Sequence, residues 1–285
     1  MSAAATASTP SPVRAPAIPA DRARSLARWN RVLAPLHAVQ FVAMLLIANT
    51  SVLFTVTVPT IKPLLVNGKF TGIEPTTVDL FSLPLAWVIA SFLAMSAAAH
   101  FLVGWPLRSR YEAGLARRVG AHRWIEYAFS STVMIVAIAY LSYIHDLPAL
   151  VAIAAANVAM ILFGWAMEVV NQGRLERGER IEWRWYWFGC LTGIAPWVGI
   201  VGILAAYSLQ PDLPAGSGIP GFVYAIVASL FISFNVFAIT MVLQFRRVGP
   251  WRDWLTGEKT YMVMSLVAKS LLAWQVFSGT LRPGG

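Results

Sequence analysis

The sequence predicts an all-α fold, a seven-transmembrane helix bundle, from its composition, its apolar segments and the placement of its charges. The chain has 285 residues, of which 58% are hydrophobic and only 12% are charged. Soluble domains carry about 25% charged residues. So few charges cannot cover the surface of a soluble protein of this size, and much of the surface is therefore expected to face lipid.

Seven apolar stretches are long enough to cross a bilayer, which takes about 20 residues. Pro148 and Pro220 open the fourth and sixth stretches, where a missing N–H is tolerated, and Pro196 is expected to bend the fifth. The approximate limits of the predicted helices are 32–57, 82–104, 120–144, 148–170, 185–209, 220–245 and 258–281.

The basic residues predict the orientation of the bundle. Of the 22 Lys and Arg residues, all except Lys62, Lys69, Arg282 and Lys269 lie in the N-terminal flank or near the loops after the second, fourth and sixth helices. Because basic loops stay in the cytoplasm, the sequence predicts a multi-pass protein of the cell membrane, with a cytoplasmic N-terminus and an extracellular C-terminus. This distribution also accounts for the net charge of +9 without a nucleic-acid partner.

The sequence also predicts the structure of two segments outside the helices, the N-terminal segment and the first extracellular loop. Residues 1–25 are rich in Ala, Ser and Pro and lack the apolar core of a signal peptide. We expect a disordered cytoplasmic tail there, followed by a seven-helix domain over residues 26–285. In the extracellular loop between the first and second helices, Asn67-Gly68 between β-prone runs predicts a short β-hairpin, with an irregular loop as the alternative.

Lys269 is the one charge in the middle of the seventh helix. A lysine at that depth costs roughly 3 kcal/mol on insertion scales, so a compensating role is expected. The role could be a structural ion pair, a transport site, or a Schiff base with an aldehyde cofactor, since a desolvated amine is a nucleophile. Ser265, four residues earlier on the same helix face, can hydrogen-bond the lysine nitrogen or the carbonyl one turn back.

Glu126, near the start of the third helix, is the anion best placed to pair with Lys269, although it could also face the lipid headgroups. Ser130, one turn further along, could hold its carboxylate. Glu168, the other acid within a span, lies close to the cytoplasmic end of the fourth helix.

Cys190 is the only cysteine, so neither a disulfide within the chain nor a cysteine-based metal site is predicted. No nucleotide-binding, hydrolase or metalloprotease motif is present, and we therefore predict neither a metal site nor an enzyme.

The motif Arg123-Trp124-Ile125-Glu126-Tyr127, the run from Ser265 to Gln275, the inverted orientation and the long outer loop resemble the heliorhodopsin family over about residues 26–282. The resemblance implies that all-trans retinal is bound covalently to Lys269 as a Schiff base, that Glu126 is its counterion, and that Ser265 lies beside it. It also implies a retinal pocket that includes Asn157, Met160, Phe234 and Trp274.

Two histidines and a serine lie in the predicted cytoplasmic half: His37, His100 and Ser96. By themselves these are more often interfacial or ordinary core residues. The resemblance implies that they form a polar cytoplasmic cavity that accepts a proton from the Schiff base, for which histidine is suited because it titrates near neutral pH.

The resemblance further implies a homodimer. A cytoplasmic signalling partner at the aromatic cluster 183–187 is an alternative to an ordinary interface belt.

The function expected from these features is that of a light receptor that signals by conformational change without pumping ions. A proton pump needs ionisable relay groups on both sides of its chromophore, whereas Asp79, Asp146 and Asp212 fall in outer loops or at their edges. The alternatives are a light-driven ion pump, a light-gated ion channel, or a retinal-free transporter in which Lys269 and Glu126 form a coupling pair.

Overall fold

The structure is a computed structural model that describes residues 18–210 and 218–283. Within these residues the chain forms eight α-helices and one two-stranded sheet. A 3₁₀ turn, Gly249–Arg252, precedes the last helix, and a π-helical turn, Phe277–Leu281, follows it. The elements are α1 Ala20–Ile47, β1 Leu53–Val66, β2 Lys69–Pro84, α2 Leu85–Gly104, α3 Arg108–Ala116, α4 Ala121–Leu141, α5 Leu147–Val170, α6 Arg184–Ser208, α7 Gly221–Phe245 and α8 Trp254–Val276.

The predicted seven-helix membrane bundle is confirmed. Every helix except the short, polar α3 is long and apolar enough to cross a membrane. Helix α1 packs against α2, α2 against α4, α4 against α5, α5 against α6, and α7 against α8. We call the end of the bundle that carries the start of α1, helix α3 and the α5–α6 and α7–α8 connections the basic end, and the opposite end the hairpin end.

The hairpin between α1 and α2 is confirmed, but it is much longer than predicted. Its strands comprise 14 and 16 residues and pair antiparallel from Leu53–Pro84 to Val66–Lys69. Asn67 and Gly68 at the turn both have positive φ, the conformation that an Asn-Gly hairpin turn requires. The predicted first helix therefore ends too late, because residues 53–57 are rich in Val and Thr and form β1 rather than the end of α1.

Tyr140, near the end of α4, joins the base of this hairpin to the helix bundle. Its hydroxyl accepts a hydrogen bond from the Thr55 backbone N–H at 2.9 Å and donates one to the Leu53 carbonyl at 2.9 Å. Phe54 and Val56, next to these bonds, are buried in the core. The base of the sheet is thus part of the folded bundle, whereas most side chains beyond it are exposed.

The predicted boundary of the N-terminal tail is also corrected, because α1 begins at Ala20 rather than near residue 32. Residues 20–28 consist largely of Ala, Arg and Leu, which favour helix. Ala23 and Leu26 are buried at the basic end, and Arg22 forms an ion pair with Asp253 just before α8. Residues 20–25 therefore belong to the folded domain. Residues 1–17, which make up most of the predicted tail, lie outside the described residues. Asp212, in the α6–α7 connection, also lies outside them.

Candidate functional site

Lys269 and Glu126 form a buried ion pair between α8 and α4. The lysine Nζ lies 3.0 Å from Glu126 Oε1 and 3.3 Å from Oε2. The two side chains are only 3% and 10% exposed. The predicted pairing is thus present in the structure, with the lysine amine also 5.2 Å from the centre of the Tyr127 ring.

Three serines surround this pair, and they do not all act as the sequence suggested. Lys269 Nζ donates to Ser265 Oγ at 2.6 Å, one helical turn away on α8. Ser96 on α2 donates to Glu126 Oε1 at 2.6 Å. Ser130 is fully buried, and its hydroxyl has no hydrogen-bond partner among the described residues. The carboxylate is therefore held by Ser96, from a neighbouring helix, rather than by Ser130 as predicted.

A cavity of about 380 Å³ extends from Lys269 between α4, α5, α6, α7 and α8. Its volume is within the range of small-molecule sites, about 300–1,000 Å³. Ser265, Ala268 and Lys269 line it on α8, and the other walls are mostly aromatic and apolar. These walls include Trp124, Tyr127, Met134, Met160, Trp197, Phe234, Phe237 and Tyr261.

Two glycines allow the cavity walls to approach one another. A Cβ at Gly164 would lie 2.5 Å from ring carbons of Trp124, and a Cβ at Gly193 would lie 2.5 Å from the Met160 sulfur. Real side chains do not tolerate such distances, so any larger residue would displace Trp124 or Met160. The glycines therefore fix the positions of two side chains that line the cavity.

The residues predicted to form the retinal pocket divide into two groups. Met160 and Phe234 line the cavity. Asn157 instead donates hydrogen bonds to Ser131 and Thr132 on α4, at 2.9 Å each. Trp274 is 36% exposed and donates to Gln40 on α1.

Helix geometry accounts for the position of Trp274, which does not line this cavity. A position five residues after Lys269 lies about 140° around the helix axis and faces α1 instead of the cavity. Trp197 on α6 was missed by the sequence analysis although it does line the cavity. Its place in a long apolar helix gave no signal that distinguished it from ordinary core packing.

The two histidines predicted to lie together do so, on the basic-end side of the bundle. The His37 and His100 rings are parallel, with centroids 5.6 Å apart. Asn30 donates through its amide nitrogen to the Leu26 carbonyl, so its oxygen faces His100 Nδ1 at 2.8 Å. His100 Nδ1 therefore carries a proton in this contact. Neither ring nitrogen of His37 has a partner among the described residues.

A second, smaller cavity of about 40 Å³ extends from His100 and Asn30 toward the basic end. Glu126, His100, Asn30 and Ser265 line one part of it, and Tyr111, His122, Arg123 and Glu258 line the rest. Arg123 was assigned to a loop junction on the sequence, but it is buried. It forms ion pairs with Glu168 and Glu258, two acids that approach it from α5 and α8.

Comparison with known proteins identifies the family. A sequence profile described as Heliorhodopsin matches residues 26–281, which is most of the chain. The chain belongs to the heliorhodopsin family. Membership implies a rhodopsin with a retinal chromophore bound to a lysine, which agrees with the resemblance found in the two sequence motifs.

Heliorhodopsin membership agrees with the fold found among solved structures. The chain is similar to the crystal structure of the transmembrane domain of Salpingoeca rosetta rhodopsin phosphodiesterase, with a TM-score of 0.54 and 12% identity. The alignment covers 91% of this chain and 82% of that one. At this identity the similarity shows the shared rhodopsin fold alone. No curated protein matches the sequence.

The heliorhodopsin chromophore fits the residues present. Retinal is a long apolar aldehyde, and the larger cavity combines apolar walls with one primary amine, that of Lys269. Among the described residues, the other lysines, Lys62, Lys69 and Lys259, are absent from the cavity lining. The arrangement can thus hold an apolar chain and a cation at its end, with Glu126 opposite.

Proposed function

We propose that the protein is a light receptor that binds all-trans retinal as a Schiff base on Lys269. The observation that carries this proposal is the position of the Lys269 amine, which lies at the wall of a 380 Å³ apolar cavity and against the Glu126 carboxylate. When bound, retinal supplies the absorption of visible light and the isomerisation that follows. Met160, Trp197 and Phe234 are the side chains that would confine it.

Glu126 serves as the counterion in this proposal. A cation buried in a dry bundle needs an opposite charge, and Glu126 is the carboxylate within ion-pair distance of Lys269 among the described residues. Ser96 donates to this carboxylate, and Ser265 accepts from the lysine nitrogen. Together the two serines orient both partners of the pair, so that a change at the lysine nitrogen is transmitted to α2 and α4.

His37 and His100 are the groups proposed to receive a proton from Lys269. His100 lines the small cavity that also contains Glu126 and Ser265, and its Nδ1 is already protonated toward Asn30. A proton would therefore enter at its Nε2 or at His37, whose two nitrogens are unpartnered within the described chain. Two stacked rings cannot both become charged without repulsion, so the pair accepts one proton.

Signalling without ion pumping is supported by the distribution of carboxylates. In the described parts of the seven spans, Glu126, Glu168 and Glu258 all lie toward the basic end, and the halves toward the hairpin contain no Asp or Glu. A pump would need a relay on that side as well. A charge disturbance at the Lys269–Glu126 pair instead biases the packing of α2, α4 and α8, as in other switches driven by a local charge change.

The basic end is proposed to face the cytoplasm, because the Lys and Arg residues cluster there. A signalling partner would then meet the α5–α6 connection and the aromatic cluster 183–187 on that side. We also propose that the protein forms a homodimer, because the family resemblance implies one.

The proposal is tested by expressing the protein with all-trans retinal and recording absorption spectra. Wild type is expected to acquire a visible band that hydroxylamine bleaches, whereas Lys269→Ala should fold without acquiring one. Lys259→Ala, which removes a lysine outside the cavity, is the matched control and should keep the band. A bleachable visible band in Lys269→Ala would contradict the proposal, and a colourless wild type would favour a retinal-free transporter.

A further inference from the structure

The buried charges of the bundle do not balance, and the imbalance is confined to one cluster. Among the described residues, the buried lysine and arginine side chains are Lys269 and Arg123, and the carboxylates buried within the bundle are Glu126, Glu168 and Glu258. Lys269 and Glu126 neutralise each other. Arg123 is left to two carboxylates, so the cluster has one negative charge in excess if both acids are ionised.

The geometry of this cluster leaves the excess charge uncompensated. Arg123 donates through one terminal nitrogen to Glu168 and through the other to Glu258. The three side chains are at most 8% exposed. Within the described residues no second Lys or Arg lies at ion-pair distance from either acid. A buried, unpaired charge costs several kcal/mol. A carboxylate in such a site binds a proton and becomes neutral, because this avoids the cost of the unpaired negative charge.

The two carboxylates differ in their hydrogen bonds. Glu168 Oε2 accepts from the Gly120 backbone N–H at 2.8 Å and from Trp124 Nε1 at 2.7 Å. Among the residues that the structure describes, Glu258 Oε1 accepts a hydrogen bond only from the Tyr111 hydroxyl, at 3.1 Å. Glu258 also lines the small cavity, which Glu168 does not. Exchange of a proton with the cavity would therefore take place at Glu258.

We propose that Glu168 and Glu258 share one bound proton around Arg123, and that the small cavity connects this pair to Glu126. Because the acids are coupled through one guanidinium, the proton belongs to the pair and not to either residue alone. A cavity of about 40 Å³ has room for about two or three waters at roughly 15 Å³ each. The pair is thus a second proton-binding site, separate from the histidines.

Within the described residues, the other titratable groups around the cluster form no ion pair with Glu168 or Glu258. His122 lies edge-on to the Tyr111 ring, with centroids 5.9 Å apart, and makes no hydrogen bond to either acid. Arg123 packs over the Tyr261 ring at 4.1 Å. The groups facing the pair are Tyr111 on α3, His122 and Tyr127 on α4, Tyr261 on α8 and, across the cavity, His100 on α2 and Glu126 on α4.

Infrared spectroscopy of the full-length protein in a detergent without ester carbonyls tests the proposal, with or without retinal. A protonated carboxyl has a C=O stretch above the amide and carboxylate bands that moves to lower frequency in D₂O. Wild type at neutral pH is expected to show one such band. Glu168→Gln and Glu258→Gln should each abolish it, because either change leaves one acid to pair with Arg123.

A control variant distinguishes this result from other origins of the band. Glu112→Gln replaces the acid of a surface pair with Arg108 and should keep the band. A band that survives in both cluster variants, or is lost in only one, overturns the shared proton. If the variants do not fold, the wild-type spectrum alone decides: absence of the band at neutral pH means that both acids are ionised and the proposal is wrong.

Discussion

Glu126→Gln is the substitution whose effect follows most directly from the geometry of the site. It keeps the size of the side chain and an oxygen that can accept from Ser96, but removes the charge 3.0 Å from Lys269 Nζ. At an effective dielectric constant of about 20, two unit charges at that distance attract by roughly 5 kcal/mol. Removing one partner of a buried ion pair costs about 3–5 kcal/mol in measured cases.

This cost predicts a large change in the titration of the visible band. Each pH unit corresponds to about 1.4 kcal/mol, so the loss should move the midpoint at which the band disappears to lower pH by about 2–4 units. The sign follows because the counterion favours the charged form of the nitrogen, and its removal favours the neutral form. A base that stays protonated should absorb further to the red, and a deprotonated base in the near ultraviolet.

The assay is an absorbance titration of purified wild type and Glu126→Gln, each regenerated with all-trans retinal. Glu112→Gln, the same chemical change at a surface ion pair, is the control and should titrate as wild type does. Matching midpoints and matching absorption maxima in wild type and Glu126→Gln would refute the assignment of Glu126. The cation would then need another anion, such as bound chloride.

Three further predictions address the cavity, the transport activity and the orientation. Trp197→Phe should shift the absorption maximum because Trp197 lines the cavity, whereas Trp274→Phe should leave it unchanged because Trp274 faces α1; the opposite pattern in the two spectra would contradict the cavity assignment. Illuminated cells that contain the pigment should show no sustained pH change, and one that a protonophore abolishes would favour a pump. A tag at residue 1 should be protected from labelling in intact cells while a tag after Gly285 is accessible, and the reverse would refute the proposed orientation.

The extent of the helices could be predicted from the sequence wherever hydropathy alone decides it. The limits of α4, α5, α6 and α7 lie within a few residues of the predicted ones, because these helices begin and end where polar or proline-containing segments meet long apolar runs. The end of α1 could not be predicted in this way. Residues 53–57 are as apolar as a helix end, and their β-prone composition becomes decisive through the pairing with residues 79–84.

The candidate site shows where local sequence patterns stop being informative. The spacing of four residues places Ser265 beside Lys269, and the scarcity of buried acids points to Glu126, so both follow from local rules. Ser96 and Ser130 are both plausible donors to Glu126, and only the packing of α2 against α4 selects Ser96. The phase of α8 likewise decides that Trp274 faces away from the cavity.

Arg123 illustrates a different limit. In the sequence, Arg123 lies shortly after a loop that is rich in arginines. Nothing in the neighbouring residues indicates that its side chain is buried while the loop arginines are not predicted to be. Its burial depends on Glu168 and Glu258, which lie 45 and 135 residues away along the chain. The one signal available was that both acids occur near the ends of apolar spans, where unpaired carboxylates are costly.

The attachment of retinal to Lys269 is the central claim, and it can be measured directly. The pigment formed with all-trans retinal is reduced with borohydride, which converts the Schiff base into a stable amine, and is then digested and examined by mass spectrometry. The account predicts one retinyl group, on the peptide that contains Lys269. A retinyl group on Lys62, Lys69 or Lys259, or none on any lysine of a coloured preparation, would contradict it.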